Sequence, residues 1–581
     1  MILYGDLPRH EEPCAVLAAL REALQRIRHL PAGLDRHAAL VATLIRAGEL
    51  AQGLADAAFQ ARGMDAASPA ADAAMALVTE LARHVWQSWQ SAFTVANPPS
   101  DAWIAALEAL PLPARVETKR AEGFAFYALY PEAYGLAASA LPRNLPVRVM
   151  GLRSIGTSLS AMVAAARDAP VPRTLRPVGH PFLRELAVEK YLAAAMLSDP
   201  GAHHAIVDEG PGLSGSSFGA AMAFLAEGGV PLERMHLMPG HAGMPGGQAP
   251  ERDRERWARV ARHPASFDAL LLDPPLPAQR LESWAASLLG PATCPMEEIS
   301  GGGWRRLRLA DEAAWPPVHP FMERRKFLFR TAGGTWLLKF AGLGREGELA
   351  AHRARRLHEA GFTPPVAGLL HGFLAERWLG EALPLDPARV DRDALIRHLQ
   401  HYLGFRSRQM PAAPEDGASA ATLFAMARAN AEEALGLATA SRLDRWQPHL
   451  AALEARFRRC WTDNRMHAWE WLSLPDGSLL KTDAVDHAAA HDLLGCQDIA
   501  WDIAGATVEL RLSRQEQAAL LASLGRDRPL LDFLMPCYLA FQLGYHSMAA
   551  DAFGWNPAEA TRASEAADRY AEKLQRCLRA G

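Results

Sequence analysis

Two adjacent carboxylates stand at the end of an apolar run in the stretch AIVDEGPGLSGSSF, residues 205–218. Asp208 and Glu209 end the run, and a turn rich in glycine and serine follows them. Small residues after a strand let backbone amides turn toward a ligand, and a helix that begins behind them adds partial positive charge. Acids beside such an anion cradle suit a ligand that carries hydroxyls, or a magnesium ion, as well as phosphate. A ribose 5-phosphate has all of these features.

The same stretch resembles the phosphoribosyl pyrophosphate (PRPP) motif of type I phosphoribosyltransferases. In that motif an apolar strand, two acids and a short spacer precede a Thr-Gly-x-Thr-like loop. The resemblance implies that Asp208 and Glu209 are catalytic. It also implies that PRPP or its phosphate is bound by the loop residues Gly212, Ser214, Gly215, Ser216 and Ser217. The chain departs from the motif in its second acid, which is Glu, and in a spacer that is one residue longer.

A second segment, VRVMGLRSIGTSLSAMVAAA at residues 147–166, supports the same resemblance. In the family, an earlier strand ends in a loop that binds pyrophosphate, and a helix follows. The resemblance implies a catalytic role for Arg153 and phosphate binding by Ser154, Gly156, Thr157 and Ser158.

Basic residues between these two segments match a mobile loop that closes over pyrophosphate in the family. The candidates are Arg176, His180 and Arg184. An ordinary solvated loop is the alternative interpretation of these three side chains. The chemistry implied by the whole resemblance is displacement of pyrophosphate at the anomeric carbon of the sugar, with Mg²⁺ as cofactor and PRPP as substrate.

A lysine closes an apolar run in the later stretch TWLLKFAG, residues 335–342. Together with the helix and strand that follow it, Lys339 resembles the nucleotide site of aminoglycoside and choline phosphotransferases, the small-molecule relatives of protein kinases. The resemblance implies that Lys339 binds phosphate and that Glu348, or alternatively Glu346, orients the lysine. It also implies that the segment around Glu376 is the hinge that receives adenine of a bound ATP.

Further acids of the carboxyl-terminal half of the chain follow the strand-like run SLLKT. Asp483 matches the metal-binding aspartate of the phosphotransferases, and Asp498 and Asp502 match their Asp-Pro-x-x-Asp-Leu-Ala segment. The catalytic loop His-x-Asp-x-x-x-x-Asn has no match, because His467 in RMHAWEWLSLPDG is not followed by the required aspartate. Glu470 is a candidate substitute, with strand packing between two tryptophans as the alternative.

Strand-like and helix-like runs must position these residues, and they alternate between residues 145 and 275. Such alternation predicts an α/β layer with a parallel sheet. KFLFRTAGGTWLLKFAG (326–342) predicts a hairpin around a Gly-Gly turn. The strands expected in the parallel layer are VRVMGL (147–152), AIVDE (205–209), MHLMPG (235–240) and FDALLLDPP (267–275).

The fold class predicted is therefore α/β and α+β multidomain. The regions expected are a helical amino-terminal region (1–115), a phosphoribosyltransferase-like parallel α/β domain (116–300), and a bilobal kinase-like fold with an N-lobe (301–385) and a helical C-lobe (386–581). The length of 581 residues agrees with three or four domains.

Composition restricts the partners that the chain can have. A net charge of -4 argues against nucleic acid, and no apolar run is long enough to predict a membrane span. The first residues lack the features of a signal peptide, and the six cysteines form no CxxC pair, so we expect a cytoplasmic location and reduced thiols. Small-molecule substrates are the expected partners, and a homodimer is compatible with the sequence.

Three functions are compatible with these features. The first is a PRPP-dependent phosphoribosyltransferase that acts on an unknown small acceptor and is fused to a small-molecule-kinase-like domain. The second is a regulatory protein that binds PRPP or a nucleotide and contains a degenerate kinase fold. The third is a small-molecule kinase whose amino-terminal half recognises the substrate.

Overall fold

The computed structural model of the protein describes residues 1–5, 9–95, 97–212, 214–247 and 249–580. Helices dominate the amino-terminal region, as predicted from the helical spacing of its apolar residues. Ser68 caps the third helix by accepting a hydrogen bond from the amide of Ala71. The elements of this region are strand β1 (Arg9–Glu11), helices α1 (Pro13–His29), α2 (Leu34–Arg62), α3 (Pro69–Gln90) and α4 (Ala102–Glu108), and strand β2 (Val116–Thr118), which pairs with β1.

A parallel sheet with flanking helices follows. Its strands are β3 (Val147–Leu152), β4 (Arg173–Leu175), β7 (His203–Val207), β8 (Met235–Met238) and β9 (Ala261–Arg262), and β5 (Pro177–His180) and β6 (Leu183–Leu186) form a separate hairpin. The helices are α5 (Glu122–Ala125), α6 (Pro131–Ser139), α7 (Gly156–Arg167), α8 (Lys190–Met196), α9 (Ser216–Glu227), α10 (Glu251–Arg259) and α11 (Leu281–Leu289).

The sheet has the order β4-β3-β7-β8-β9, and every pair in it is parallel. Three of the four strands predicted in this layer are confirmed. The prediction for FDALLLDPP is wrong, because Asp268–Leu272 forms a helical turn. Consecutive residues Leu270 and Leu271 are both buried there. A short continuous apolar run does not by itself separate a buried strand from a buried helix.

An antiparallel sheet of five strands, in the order β10-β11-β12-β14-β13, begins the next region. The predicted hairpin is confirmed: β11 pairs with β12 around Gly333 and Gly334, and Gly334 has a φ of 124°. The elements are β10 (Glu297–Glu298), β11 (Lys326–Thr331), β12 (Gly334–Phe340), α12 (Arg345–Glu359), β13 (Val366–Leu370), β14 (Phe373–Arg377) and β15 (Leu383–Pro384).

The remainder is mainly helical, as predicted, and shares a second apolar core with α12 and β14 of the preceding region. Its helices are α13 (Arg392–Gln409), α14 (Ala420–Leu435), α15 (Leu437–Ala440), α16 (Leu450–Glu454), α17 (Ala500–Glu509), α18 (Arg514–Ser523), α19 (Arg528–Ala552) and α20 (Pro557–Ala580). Short strands interrupt them: β16 (Arg459–Cys460), β17 (Trp471–Ser473), β18 (Leu479–Lys481) and β19 (Gln497–Asp498).

One apolar core runs through three of the four predicted regions. It includes Leu44 and Val78 of the amino-terminal helices, Val207 of the parallel sheet and Phe340 of the antiparallel sheet. Helix α2 is the one described helix long and apolar enough to cross a membrane, and 67% of its apolar window is buried inside this protein. Packing of α2 into this shared core accounts for the apolar composition of the helix. All six cysteines are unpaired.

A buried carboxylate joins the three parts of this core. Glu132 of α6 accepts hydrogen bonds on Oε1 from Nε2 of His37 in α2, over 2.7 Å, and from Nε2 of His371 in the β13–β14 turn, over 3.0 Å. Burial by itself raises the pKa of Glu132, but the two histidines outweigh burial and hold that pKa far below its usual range. Burial also lowers the pKa of His37. The cluster therefore holds an anionic Glu132 against a neutral His37.

We predict that Glu132→Ala lowers the free energy of unfolding by about 3 kcal/mol, because both histidines lose a buried acceptor. Stability of the wild type should fall below about pH 6.5, where the unfolded His37 binds a proton that the folded protein excludes. Protonation of Glu132 at still lower pH acts in the same direction. Urea denaturation across pH measures both effects. Glu22→Ala, an exposed acid of α1, is the matched control, and equal losses in the two variants would contradict this account.

Candidate functional sites

The first candidate site is a cavity at the carboxyl ends of strands β3 and β7. Asp208 and Glu209 line it together with Ser154 and Ser217. Ligands of parallel sheets bind at this edge, beyond the strand ends. The structure therefore brings the predicted acid pair and parts of both predicted loops to one cavity.

Burial dominates the electrostatics of the acid pair. It raises the pKa of Asp208 to about 7. Burial, and then the neighbouring charge of Asp208, raise the pKa of Glu209 to about 8. Glu209 accepts a hydrogen bond from the amide of Gly123 over 3.0 Å. No described cationic side chain forms an ion pair with either acid. Ligand hydroxyls or a bound cation would satisfy the pair.

In the glycine-serine loop the backbone, more than the serine hydroxyls, is available to a ligand in the cavity. Gly215 has a φ of 60° at the start of α9, and a Cβ there would lie 2.8 Å from Cβ of Pro245. Ser214 and Ser216 donate hydrogen bonds to the carbonyl of Pro181 over 2.9 and 2.6 Å. These two hydroxyls therefore hold the β5–β6 hairpin over the loop. Gly212, Ser214, Ser216 and Ser217 all border the cavity.

The upstream loop is brought only partly to the cavity. Arg153 borders the cavity, but its guanidinium binds Asp56 over 2.8 Å and also Asp65. Thr157 and Ser158 are buried, and a Cβ on Gly48 of α2 would lie only 1.9 Å from Oγ of Ser158.

Thr157 and Ser158 do not line the cavity, because α2 covers that side of the loop, whereas Arg153 borders the cavity with its guanidinium bound by Asp56 and Asp65. Gly156 has a packing role, since a Cβ there would lie 2.7 Å from the carbonyl oxygen of Val207. Ser154 is the one predicted phosphate-binding residue of this loop that lines the cavity.

The three residues of the predicted basic loop also differ in whether they are placed to meet a ligand in the cavity. Nε of Arg176 donates to Asp56 over 2.9 Å, so it joins the ion pairs of Arg153. His180 is exposed and does not line the cavity, whereas Arg184 does. Arg184 donates to the carbonyl of Pro177 over 3.1 Å. Of the three expected residues, only Arg184 is placed to meet a ligand.

The second candidate site is a cleft between the antiparallel sheet and the helical remainder. Lys339 of β12 binds the carboxylates of Asp483 and Asp486 at its floor. Burial by itself raises the pKa of both acids, but Lys339 outweighs burial and holds each pKa below its usual range. The same acids raise the pKa of Lys339 against the effect of its burial. The cleft floor therefore carries one cation between two anions.

The structure does not bring the expected helix acid to this lysine. Glu348 is exposed, and Glu346 binds Arg9 over 2.7 Å. Asp486, and not a helix glutamate, is the second acid bound to Lys339. The two aspartates of DAVDH, residues 483–487, were the sequence feature that could have indicated this contact. Glu376 lines the cleft as predicted, and burial raises its pKa to about 7.

Another acid that the sequence analysis missed lies behind the cleft wall. Asp463 is buried, 3.3 Å from Nζ of Lys481. Asp502 accepts hydrogen bonds from the amides of Asp463 and Asn464 over 2.8 and 2.9 Å, and so holds this loop in place. The match of Asp502 to the phosphotransferase segment implied that its carboxylate holds a loop in place. The aspartate in WTDNR, which is Asp463, was the sequence feature that could have identified that loop.

Residues near the missing catalytic motif occupy the same wall. Glu470 lines the cleft and accepts a hydrogen bond from Nζ of Lys481 over 2.8 Å. His467 stacks on Trp469 with ring centroids 4.4 Å apart, and burial lowers its pKa. Asp498 binds Arg526 over 2.8 Å and lies outside the cleft. Glu470 is thus the acid of this segment that lines the cleft.

Two groups of side chains are candidates for a divalent cation. Asp483 and Asp486 fit Mg²⁺, because both are oxygen ligands and both are held in the charged form. Asp463, Glu470 and His487 also lie close enough together to ligate an ion. Lys481 stands between the two acids of this second group, as Lys339 stands between Asp483 and Asp486, so a cation at either group would have to displace an ammonium.

No protein-family model and no curated protein matches this sequence. Solved structures with similarity include choline kinase LicA from Streptococcus pneumoniae (13% identity, 50% of this chain and 98% of that chain covered, TM-score 0.32). A choline/ethanolamine kinase family protein from Mesorhizobium loti has 15% identity, coverage of 44% and 90%, and a TM-score of 0.30. A thermostable mutant of aminoglycoside phosphotransferase APH(4)-Ia has 13% identity, coverage of 50% and 99%, and a TM-score of 0.32. TM-scores below 0.5 do not establish a shared fold, so the interpretation of the cleft depends on its own geometry.

We predict that the double variant Asp208→Asn/Glu209→Gln gains stability over the wild type as the pH rises. The two acids have raised pKa values in the folded protein, so they oppose folding increasingly between about pH 4 and pH 8. The difference in free energy of unfolding between variant and wild type should grow by several kcal/mol from pH 5 to pH 9, since each unit of raised pKa opposes folding by about 1.4 kcal/mol. Chemical denaturation at both pH values measures it. A difference that is the same at both, as expected for Glu22→Gln, would contradict the buried acid pair.

Proposed function

We propose that the carboxyl-terminal half transfers a phosphoryl group from a nucleoside triphosphate to a small-molecule acceptor. The observation that carries this proposal is the contact of Lys339 with Asp483 and Asp486 at the floor of the cleft. A lysine on a strand next to two ionised acids is the arrangement that protein kinases use to bind phosphates and magnesium. Phosphoryl transfer needs mainly positioning and charge stabilisation, and these groups supply both.

Each group in the cleft then has a role. Asp483 and Asp486 would hold Mg²⁺, which neutralises charge on the phosphates when it is bound. Lys339, released from the two acids, would bind the phosphates directly. The segment around Glu376 at the end of β14 would receive the base of the nucleotide.

The acceptor hydroxyl needs a group that takes its proton. Glu470 faces the cleft, and burial raises its pKa, so its carboxylate is a better proton acceptor than an exposed glutamate. The acceptor oxygen forms a bond to the γ-phosphorus, the bond from that phosphorus to the β-γ bridging oxygen breaks, and the nucleoside diphosphate leaves. Asp463 acts as a positioning residue, because it holds Lys481 beside Glu470.

The acid-pair cavity supports a second function. Asp208 and Glu209 lie beside a glycine-rich turn at a helix start, an arrangement suited to a ribose 5-phosphate ligand. We propose PRPP as the ligand and a phosphoribosyl transfer as the reaction: pyrophosphate leaves the anomeric carbon and an acceptor nucleophile bonds to it. Binding of PRPP without transfer is the regulatory alternative, and the absence of acceptor-dependent pyrophosphate release would indicate it.

We predict that Lys339→Met and Asp483→Asn each lower nucleoside triphosphate turnover by about a hundredfold or more, because each removes charge stabilisation of the transferred group. Formation of ADP from ATP with Mg²⁺ measures turnover, and calorimetry measures binding. Lys190→Met, an exposed lysine of α8, is the control. Wild-type protein that neither binds nor turns over ATP would overturn the proposal.

We also predict that Asp208→Asn/Glu209→Gln weakens PRPP binding by about tenfold or more, since each carboxyl group loses one acceptor oxygen for the ribose hydroxyls. Calorimetric titration with PRPP and Mg²⁺ gives the dissociation constants. Glu233→Gln, an exposed acid near β8, should bind as the wild type does. An unchanged constant in the double variant would remove PRPP from the acid pair.

A further inference from the structure

The acid-pair cavity and the kinase-like cleft are separated by a wall one side chain thick. Phe126, Ala490 and His491 border both of them. Phe126 follows α5 in the amino-terminal half, whereas Ala490 and His491 belong to the loop after Asp483. The two halves of the chain therefore meet at the boundary between the two candidate sites.

The wall is built from one ring contact with supports on both sides. The rings of Phe126 and His491 stack with centroids 5.6 Å apart and an angle of 7° between their planes. Nε2 of His491 donates to Glu122 over 2.8 Å, and Nδ1 contacts the hydroxyl of Tyr127. Opening the wall would require the stacked rings of Phe126 and His491 to separate.

Cations flank the wall on both faces. The guanidinium of Arg120, which lines the acid-pair cavity, lies 5.5 Å from the ring of Phe126. The guanidinium of Arg324, which lines the cleft, lies 4.9 Å from the same ring. A small anion that left one cavity through this wall would meet a positive charge on each side of it. Glu122 and Asp492 also line the acid-pair cavity, so the two guanidinium groups are the ones placed to attract a phosphate at this wall.

We propose that the phosphoryl acceptor of the cleft is a pentose phosphate held first in the acid-pair cavity, and that it crosses at the Phe126–His491 contact without release to solvent. This inference rests on the proposed function of both sites. A sugar hydroxyl attacks the γ-phosphorus, its proton passes to Glu470, and the nucleoside diphosphate leaves. The 5-phosphate is unchanged by this reaction, and it is the group that Arg120 and Arg324 attract.

Ribose 5-phosphate is the probe for this inference. With ATP and Mg²⁺, it should raise ADP formation by the full-length wild type and yield a doubly phosphorylated pentose detectable by mass spectrometry. Asp208→Asn/Glu209→Gln should raise the KM for ribose 5-phosphate by about tenfold or more, since the sugar is captured at that pair. An unchanged KM would show direct entry into the cleft and overturn the inference.

A matched pair of substitutions tests the crossing itself. Ala490→Leu fills the wall between the cavities and should lower ribose 5-phosphate-dependent ADP formation by about fivefold or more. Ala488→Leu places the same bulk two residues away, at a buried position that borders neither cavity, and should not. The affinity for ATP is measured for each variant, and an affinity equal to that of the wild type shows that the cleft is intact.

The possible failures are distinguishable. Equal rates for Ala490→Leu and Ala488→Leu with normal ATP binding overturn the crossing and leave the proposed phosphotransfer standing. The same holds if ribose 5-phosphate binds at the acid pair but never stimulates ADP formation. Absence of ATP binding by the wild type overturns both the phosphotransfer and this inference.

Discussion

A single buried carboxylate organises the structure. Glu132 lies where α2, the helices around the parallel sheet and the antiparallel sheet meet, and it accepts hydrogen bonds from His37 and His371. A buried charge is tolerated only where partners are in place, so these three segments must be assembled together. The apolar core that surrounds the cluster is continuous across the same three segments. The relative position of the two cavities follows from this assembly.

The amino-terminal helices determine what the first cavity can do. Asp56 and Asp65 bind Arg153, and Asp56 also binds Arg176, so two cations that could have met a phosphate are neutralised inside the protein. The acids Asp208 and Glu209 remain without an ion-pair partner among the described side chains. The cavity therefore combines an acid pair that accepts hydrogen bonds from backbone amides with a glycine-rich turn at a helix start.

The cleft beside Lys339 holds its acids in ion pairs instead. Its lysine and acids already satisfy one another, with Lys339 between Asp483 and Asp486 and Lys481 between Asp463 and Glu470. Under the proposed phosphotransfer, a magnesium nucleotide would replace the first of these contacts, because it supplies both a cation for the acids and an anion for the lysine. Glu348, which the sequence predicted beside Lys339, is on the exposed face of α12, and Glu346 is bound by Arg9 from the first strand.

The sequence by itself determined the local elements and the chemical groups available. Three strands of the parallel sheet, the Gly-Gly hairpin, the helical regions and the acid pair at a strand end all follow from periodicity and turn residues, which act over short distances. Only the tertiary structure decided which groups face a ligand. Arg153 is bound by an acid 97 residues away, and Lys339 by one 144 residues away. Such contacts depend on how distant segments pack, and no local pattern records them.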